Sequence, residues 1–277
     1  MQLTNFDVMM LGRDCPLVMG ILNATPDSFS DGGLFNAPQH AVARARSMIA
    51  EGADIIDIGA ESTRPYGDAQ PVSEEGELQR LHEVLPHIVA LGVAVSIDTM
   101  KSRVANWALR QGAAIVNDVW GLQRDPNMAR VVGESGASVI VMHNREVVDP
   151  SVEIVEDMLR FFDRSLTIAS SAGITSSRIV LDPGIGFGKT PQQSIVAIAR
   201  LDALHSLGCP VLVGASRKRF IASVTPSNPQ QRLGGSLAAH LLAAQRGAKI
   251  VRVHDVAETV QALRVATEID NSVEELS

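Results

Sequence analysis

The sequence predicts an α/β fold, namely a TIM-type (β/α)8 barrel that forms a single domain over residues 1–277. Short apolar strands alternate with helical segments eight times along the chain. The length of 277 residues is close to the roughly 250 residues that such a barrel needs. No linker, charged block or low-complexity run divides the chain. A doubly wound open sheet is the alternative that the same alternation leaves open.

The eight strands follow a regular pattern of helix, glycine and apolar run. A glycine just past a helix end takes the left-handed conformation without a Cβ penalty. The glycines that mark helix ends are Gly52, Gly92, Gly112, Gly136, Gly173, Gly208 and Gly247. The predicted strands lie at residues 17–22, 55–58, 93–97, 114–116, 139–142, 179–181, 211–213 and 250–253. Their β-branched, nearly continuous apolar runs are typical of a parallel sheet buried on both faces.

Composition narrows the possible partners. An apolar fraction of 45% with only 4% aromatic residues predicts a large aliphatic core. The net charge of -7 argues against non-specific binding to nucleic acid or to anionic lipid. Cys15 and Cys209 form no disulfide framework, which favours a reduced, cytoplasmic protein. The sequence shows no signal-peptide pattern and no apolar run of about 18 residues, so no membrane association is expected.

All eight predicted strands run into polar or charged side chains. In a barrel of parallel strands these ends meet at the C-terminal mouth, where such folds place their sites. A single polar residue there is typical of a helix N-cap, the interpretation that we prefer for Thr99, Asp118 and Asp255. Cations near helix starts oppose the macrodipole and therefore indicate an anionic ligand. These cations are Arg64, Lys218, Arg252 and His254.

The chemistry of the strand ends suggests a substrate. Asp98, Asn117 and Asp182 offer carboxylate and amide groups that can pair with the donor-rich edge of an amino-heterocycle. Arg252 and His254, together with Arg64 and a hydroxyl-rich loop after the first strand, suit a phosphate or pyrophosphate. The sequence thus predicts a heterocyclic substrate that carries a phosphorylated group.

Two further segments bear on this site. Asn23, at the end of the first strand, offers an oxygen to Mg²⁺, which prefers oxygen ligands and keeps waters beside phosphate. The segment 184–190 looks at first like a phosphate loop, but residue 183 is Pro where a Walker motif needs Gly, so we interpret it as a mobile flap with Phe187 as an aromatic wall. Segment 214–219 enters a helix whose N-terminal amides can hold a carboxylate or phosphate. The alternative is an ordinary basic helix start on the surface.

The ordered motifs resemble one family, the dihydropteroate synthases, from residue 17 to about residue 263. The matching words lie at residues 23–33, 61–65, 96–99, 117–118, 142–143, 182–189, 216–218 and 252–255. The resemblance implies a TIM barrel that joins a pterin-methyl diphosphate to 4-aminobenzoate and releases pyrophosphate, works with Mg²⁺ and forms a homodimer. Sulfonamides are expected to mimic the aminobenzoate.

The resemblance also implies roles for individual residues. The pterin is expected at Asp98, Asn117, Asp182 and Lys218. Mg²⁺ is expected at Asn23, and pyrophosphate at Arg252 and His254. The aminobenzoate is expected among Thr63, Arg64, Pro65, Phe187 and Ser216, while Met142 and Gly214 complete the substrate site. Catalytic roles fall to Asp98, Lys218, Arg252 and His254.

The implied reaction is substitution at the pterin methylene carbon, in which Mg²⁺ and the cations stabilise the departing pyrophosphate. The arylamine is already a nucleophile at neutral pH, so His254 is not assigned as a general base. The loops 24–33 and 63–70 are expected to close over the diphosphate before aminobenzoate binds. Departures from the family pattern occur at residues 66–67, 144–145 and 219, and they leave the core chemistry intact.

Two other functions stay open at this point. One is a related pterin-binding barrel that transfers a methyl group from methyltetrahydrofolate to a corrinoid, which has no use for the pyrophosphate loop. The other is a catalytically silent paralogue that binds a ligand or a partner protein, against which the intact set of loop residues argues.

Overall fold

Eight parallel strands close into a barrel in chain order, with β8 paired to β1. This architecture is seen in a computed structural model, which describes residues 10, 12–24, 37–61 and 72–274. The strands are β1 Leu17–Asn23, β2 Ile55–Gly59, β3 Ala94–Asp98, β4 Ile115–Asp118, β5 Ser138–Met142, β6 Ile179–Asp182, β7 Val211–Val213 and β8 Ala248–Val253. The closed barrel confirms the predicted fold class and excludes the open sheet.

Helices surround the barrel and return the chain between consecutive strands. In the described ranges they are α1 Ala37–Glu51, α2 Glu74–His82, α3 Leu85–Val89, α4 Ser102–Arg110, α5 Met128–Ser135, α6 Ile154–Ser171, α7 Pro191–Ala199, α8 Arg219–Val224, α9 Leu233–Gln245 and α10 Val256–Glu274. Short 3₁₀ helices lie at Ser176–Arg178, Leu201–Leu207 and Pro229–Gln231.

The predicted helix-ending glycines take the left-handed conformation. Gly136 follows α5 with φ 74°, and Gly208 follows the second 3₁₀ helix with φ 69°. The other five predicted glycines also have positive φ angles. These residues end the helices where the sequence pattern placed the ends, because other residue types rarely adopt this conformation.

The core has two parts. A large cluster fills the space between the strands and the surrounding helices. A smaller buried cluster inside the barrel takes at least one side chain from every strand, and its members are Leu17, Met19, Ile55, Ala94, Ile115, Ile140, Val180, Leu212 and Ile250. This inner cluster fills the N-terminal half of the barrel and forms an apolar floor below the C-terminal mouth.

Within the described part of the chain, none of the helices has the length and apolar character needed to cross a bilayer. The expectation of one domain over residues 1–277 stays a prediction, because residues 25–36 and 62–71 and both chain ends lie outside the described residues.

Candidate active site

Alternate residues of each strand point into the barrel, from the apolar cluster at its floor up to the C-terminal mouth. Side chains at i and i+2 point to the same face of a strand. Ile55, Ile115 and Val180 belong to the floor, so the residues two positions later, including Asn117 and Asp182, lie on the inward face above it. By the same rule Arg252 lies above Ile250, and Asp98 lies four positions after Ala94. The polar strand ends therefore converge in one place.

Arg252 joins strands from opposite ends of the chain. Its Nε donates to Asp57 Oδ2 at 2.6 Å, and its Nη2 donates to Asp98 Oδ2 at 2.8 Å. Asn117 Nδ2 donates to the same Asp57 oxygen at 3.2 Å. Asp57 is fully buried, and it is a site residue that the sequence analysis missed. A charged residue two positions after an inward-facing apolar one in β2 was the signal that could have found it.

This cluster changes the charge behaviour of its members. Burial raises the pKa of Asp98 to about 7, and the neighbouring Asp57 charge adds to the shift while Arg252 opposes it. The two carboxylates together raise the pKa of Arg252, although burial acts against them, so the guanidinium stays charged. A buried charge needs such partners, because leaving it unpaired is costly.

Several acceptor atoms of the cluster remain available. Asp57 Oδ1, Asp98 Oδ1 and Asn117 Oδ1 are buried and have no hydrogen-bond partner within the described ranges. Buried polar groups are normally paired, so unpaired ones need an explanation such as a role in binding a ligand. All three atoms are acceptors, which favours a ligand that donates.

Asp182 lies beside this cluster. Its Oδ1 accepts from the Gly184 N–H at 2.8 Å, and burial raises the pKa of its carboxyl group. Gly214, at the end of β7, separates it from Arg252: an added Cβ at Gly214 would lie 4.0 Å from Asp182 Oδ2 and 3.7 Å from Arg252 Cβ. Only a small residue there leaves the space between the two side chains open.

Lys218 and Phe187 form the next wall of the site. Lys218 Nζ donates to the Ile185 carbonyl at 2.7 Å and lies 4.2 Å from the centre of the Phe187 ring. Phe187 and Met142 belong to a small buried apolar cluster with Val119. The aromatic wall is therefore present. The loop that carries it is held by hydrogen bonds along its length, and its mobility stays a prediction.

The Ser216 hydroxyl group contacts His254 in the structure. Its Oγ accepts from the His254 N–H at 3.2 Å and lies 2.9 Å from His254 Nδ1. The helix that follows, α8, begins only at Arg219 and has six residues. Segment 214–219 therefore does enter a helix, as predicted, but Lys218 occupies the N-cap position and Ser216 lies before it.

The loop between β7 and α8 is held by residues of α9 and by Arg232, which directly precedes α9. Arg217 has φ 58°, a left-handed conformation that non-glycine residues rarely adopt. Its N–H donates to Ser236 Oγ at 2.9 Å, and its carbonyl accepts from Arg232 Nη1 at 3.0 Å. His240 Nε2 accepts from the Ala215 N–H at 3.2 Å. These buried residues position the loop that carries Ser216 and Lys218.

The capping interpretation fails for the three residues for which we preferred it. Asp255 directly precedes α10, but its carboxylate pairs with the Arg217 guanidinium. Asp118 accepts from the Trp120 and Leu122 N–H groups and so closes a turn rather than a helix start, since α5 begins at Met128. Thr99 accepts from the Lys101 N–H in the turn before α4. Tertiary partners and local turns have replaced the predicted caps.

These elements enclose a cavity of about 480 Å³ at the C-terminal mouth. The predicted site residues that line it are Asn23, Asp98, Phe187, Gly214, Ser216, Lys218, Arg252 and His254. Asn117, Met142 and Asp182 lie next to these residues but are not part of the lining itself. Thr63, Arg64 and Pro65 lie outside the described residues, as do residues 25–33 of the first loop.

The lining also includes groups that the sequence analysis did not assign. Glu61 Oε2 pairs with Lys101 Nζ at 2.6 Å, and the same ammonium pairs with the buried Glu77 at 2.8 Å. Arg217, Arg219 and Arg232 also line the cavity and add positive charge to it. Buried acceptors thus lie beside a cavity whose lining carries several cations.

Comparison with known proteins fits this arrangement. The profile of a family described as pterin binding enzymes matches residues 19–254. A dihydropteroate synthase of Bacillus subtilis is 45% identical over 254 residues, which cover 91% of this chain and 88% of the relative. The Escherichia coli K12 dihydropteroate synthase is 43% identical over 260 residues, with 90% of each chain covered.

Solved structures agree with the sequence comparison. Dihydropteroate synthase from Clostridium difficile, determined in the presence of pteroic acid, gives a TM-score of 0.89 at 45% identity, with 92% of this chain and 97% of that chain covered. The Xanthomonas albilineans enzyme in complex with 7,8-dihydropteroate gives 0.85 at 43% identity, with 93% and 94% covered. The chain therefore belongs to the pterin-binding enzyme family and, within it, to the dihydropteroate synthases.

Proposed function

We propose that this protein condenses 6-hydroxymethyl-7,8-dihydropterin diphosphate with 4-aminobenzoate to give 7,8-dihydropteroate and pyrophosphate. The observation that carries the proposal is the set of buried, unpaired acceptors on Asp57, Asp98 and Asn117 beside a cavity whose lining includes several cations. A pterin presents a guanidine-like N–C–N edge with several N–H donors, which such acceptors satisfy. The attached diphosphate then lies toward the cationic side of the cavity.

The apolar wall supports the placement of the two rings. Phe187 and Met142 offer flat or polarisable surface beside the acceptor cluster. Aromatic rings and Met sulfur pack well against heterocycles. Phe187 also carries Lys218 over its face, which places a positive charge between the pterin pocket and the aminobenzoate position.

The diphosphate is assigned to Arg252 and His254, with Lys218 nearby. Arg252 is held in place by its bonds to Asp57 and Asp98, so it is ordered before any ligand binds. Groups that are already oriented stabilise charge developing on a leaving group without reorganisation during the step. The leaving pyrophosphate gains negative charge, and these cations oppose it.

Asn23 is the proposed protein ligand of Mg²⁺. It ends β1, lines the cavity together with Arg252 and His254, and offers an amide oxygen. One protein oxygen suits Mg²⁺, which usually keeps most of its waters and takes the remaining ligands from substrate phosphate. When bound, the ion would neutralise charge on the diphosphate.

The protein needs to supply little proton chemistry. The arylamine nitrogen forms a bond to the methylene carbon as the bond from that carbon to the diphosphate oxygen breaks, and the amine then loses a proton to solvent. His254 is not assigned as a general base, because the arylamine is already a nucleophile at neutral pH.

The test is an assay for pyrophosphate release with the pterin diphosphate and 4-aminobenzoate. Turnover is expected only with both substrates and Mg²⁺, and excess chelator should abolish it. Binding of methyltetrahydrofolate without any pyrophosphate release would instead favour the methyltransfer module. Pterin binding without turnover would favour the silent paralogue.

The Asn23→Ala variant is expected to bind the pterin diphosphate more weakly while binding the bare pterin as before. The physical reason is that the amide oxygen contacts the ion that bridges to phosphate, whereas the heterocycle contacts Asp98 and Asn117. Calorimetry with and without Mg²⁺ measures both affinities. Full activity of the wild type in excess chelator, or an equal loss for both ligands, would contradict the assignment.

Binding is expected to be ordered, with the pterin diphosphate first. The loops 24–33 and 63–70, which carry most of the predicted closing residues, lie almost entirely outside the described residues, so this rests on their composition and on the resemblance. A sulfonamide should bind weakly to the free protein and much more tightly in the presence of Mg²⁺, pyrophosphate and a pterin. Equal affinity in both conditions would show that the aminobenzoate pocket is already formed.

We also propose a cytoplasmic homodimer that uses neither nucleic acid nor a membrane. The chain has only two cysteines, Cys15 and Cys209, too few for a disulfide framework, which supports a reducing compartment. The dimer rests on the family resemblance alone. Light scattering after gel filtration measures the oligomeric state, and a monomer at micromolar concentration would refute that part of the proposal.

A further inference from the structure

The glycine-rich segment after β6 contains a lysine whose role the substrate site does not explain. Lys189 is only 3% exposed, and its Nζ points into the loop rather than into the cavity. It donates to the Gly184 carbonyl at 3.0 Å and to the Phe187 carbonyl at 3.2 Å. The segment therefore differs from a phosphate loop in the contacts of its lysine as well as in the spacing of its glycines. In a phosphate loop the lysine reaches phosphate, whereas Lys189 donates to backbone carbonyls of its own loop.

His143 holds Lys189 Nζ from the other side and is itself held by Asp157. His143 Nδ1 lies 2.6 Å from Lys189 Nζ, and His143 Nε2 lies 3.1 Å from Asp157 Oδ2 on α6. Burial lowers the pKa of His143 to about 2, so the ring is neutral and has one acceptor nitrogen. Burial also lowers the pKa of Lys189, to about 7. Since the Asp157 carboxylate only accepts, we assign the proton of the ring to Nε2 and the acceptor to Nδ1, which faces Lys189 Nζ.

The loop around Lys189 has no spare room. Gly184 has φ 63° and Gly188 has φ 55°. A Cβ at Gly184 would overlap the His143 carbonyl, and a Cβ at Gly188 would overlap Arg145. The loop is thus packed directly on the segment that follows β5, and the lysine closes the contact between them.

The same loop presents two groups to the substrate cavity. The Ile185 carbonyl accepts from Lys218 Nζ at 2.7 Å, and the Phe187 ring lies under that ammonium at 4.2 Å. Both groups lie between Gly184 and Lys189, in the stretch of loop whose backbone carbonyls accept hydrogen bonds from Lys189. Moving this stretch would displace Phe187 and release Lys218 together.

We propose that Lys189 is a positioning residue, which acts through the loop 184–187 to fix Phe187 and Lys218 for substrate binding. Its Nζ is held by His143, and the His143 ring is held by Asp157. The inference deepens the proposed function and rests on it, because it assigns the loop to the substrate site. The lysine itself touches neither substrate nor the reacting atoms.

The test compares Lys189→Met with Lys189→Gln and a matched control. Lys189→Met removes the amino group that donates to both carbonyls. It should weaken pterin diphosphate binding on the order of 10-fold, with a rise in KM that exceeds the fall in kcat. Lys189→Gln restores a neutral donor and should recover part of the affinity. Arg178→Met is the control, because Arg178 also donates to two carbonyls, at 3.1 and 2.9 Å, but lies before β6 at the other end of the barrel.

A second readout needs no ligand. The chain has two tryptophans, and Trp120 packs against the cluster that contains Phe187. In a Trp107→Phe background, Trp120 emission should shift in Lys189→Met and stay unchanged in Arg178→Met. Emission reports the position of the loop even if the wild type shows no pyrophosphate release, so failure of the proposed function and failure of this inference can be told apart.

Three outcomes would overturn the inference. The first is an unchanged Trp120 emission with unchanged pterin affinity in folded Lys189→Met. The second is an equal rise in KM in Arg178→Met, which would show a general effect of lower stability. The third is a failure of both Lys189 variants to fold, which would make the lysine a folding residue rather than a positioning one.

Discussion

Arg252→Met is expected to lose about 3–5 kcal/mol of unfolding free energy at neutral pH and at least about 100-fold in kcat/KM. The substitution leaves Asp57 and Asp98 buried without the cation that both now contact at 2.6 and 2.8 Å. Removing one partner of a buried ion pair costs more than the pair is worth, because the remaining charge stays desolvated. Urea denaturation measures the stability, and pyrophosphate release measures the activity.

The pH dependence of this loss has a definite sign. Asp98 already has a pKa raised from 3.8 to about 7, and loss of the guanidinium raises it further. Such a group stabilises the fold below its unfolded pKa, and that stability is lost as pH rises through the folded pKa. The Asp98 part of the difference between wild type and variant should therefore widen above about pH 7.

Arg252→Lys serves as the matched control, because it keeps the positive charge but lacks the planar guanidinium group. A single ammonium cannot donate to both carboxylates in the same planar arrangement, so intermediate stability is expected. If Arg252→Met unfolds at the same urea concentration as the wild type at both pH 6 and pH 9, the ion cluster is not a stabilising element of this site.

Asp182→Ala is expected to weaken pterin binding by about 2–4 kcal/mol, provided that the carboxylate is desolvated in the complex. The carboxyl group is buried at the end of β6 beside Gly214 and Arg252. Its removal leaves donors of the heterocycle unpaired in a buried place, and it also removes the acceptor for the Gly184 N–H. Calorimetry with the pterin diphosphate and with the bare pterin measures the loss.

Asp182→Asn separates the two effects. The amide oxygen still accepts from Gly184, so the loop stays in place, but the charge that favours N–H donors is gone. We expect its affinity to lie between those of the wild type and Asp182→Ala. Unchanged pterin affinity in Asp182→Ala, with circular dichroism showing an intact fold, would remove Asp182 from the pterin site.

The architecture was predictable because its signals are local. A glycine such as Gly136 ends a helix through its own φ angle, and a β-branched run such as that of β5 is buried wherever it lies in a parallel sheet. Once eight strands alternate with helices, the ends of all strands meet at one mouth. The position of Asp98, Asn117 and Asp182 at that mouth follows from the period of two.

The connections between those residues were not predictable, because they depend on which strands become neighbours across the barrel. Arg252 binds Asp57 from 195 residues away, and no local pattern marks that pair. Asp255 sits at a helix start but pairs with Arg217, and Ser216 pairs with His254. In each case a partner brought close by the tertiary fold replaced the partner that local sequence would supply.

The sequence by itself determined the barrel, the family resemblance and the set of polar residues at the mouth, since strand period, helix ends and motif order are properties of the chain. Only the tertiary structure decided which charges pair, which acceptors stay unpaired and that Lys189 turns inward to its own loop. The physical reason is that the free energy of a buried polar group depends on atoms within hydrogen-bond distance, and closing the barrel sets those atoms.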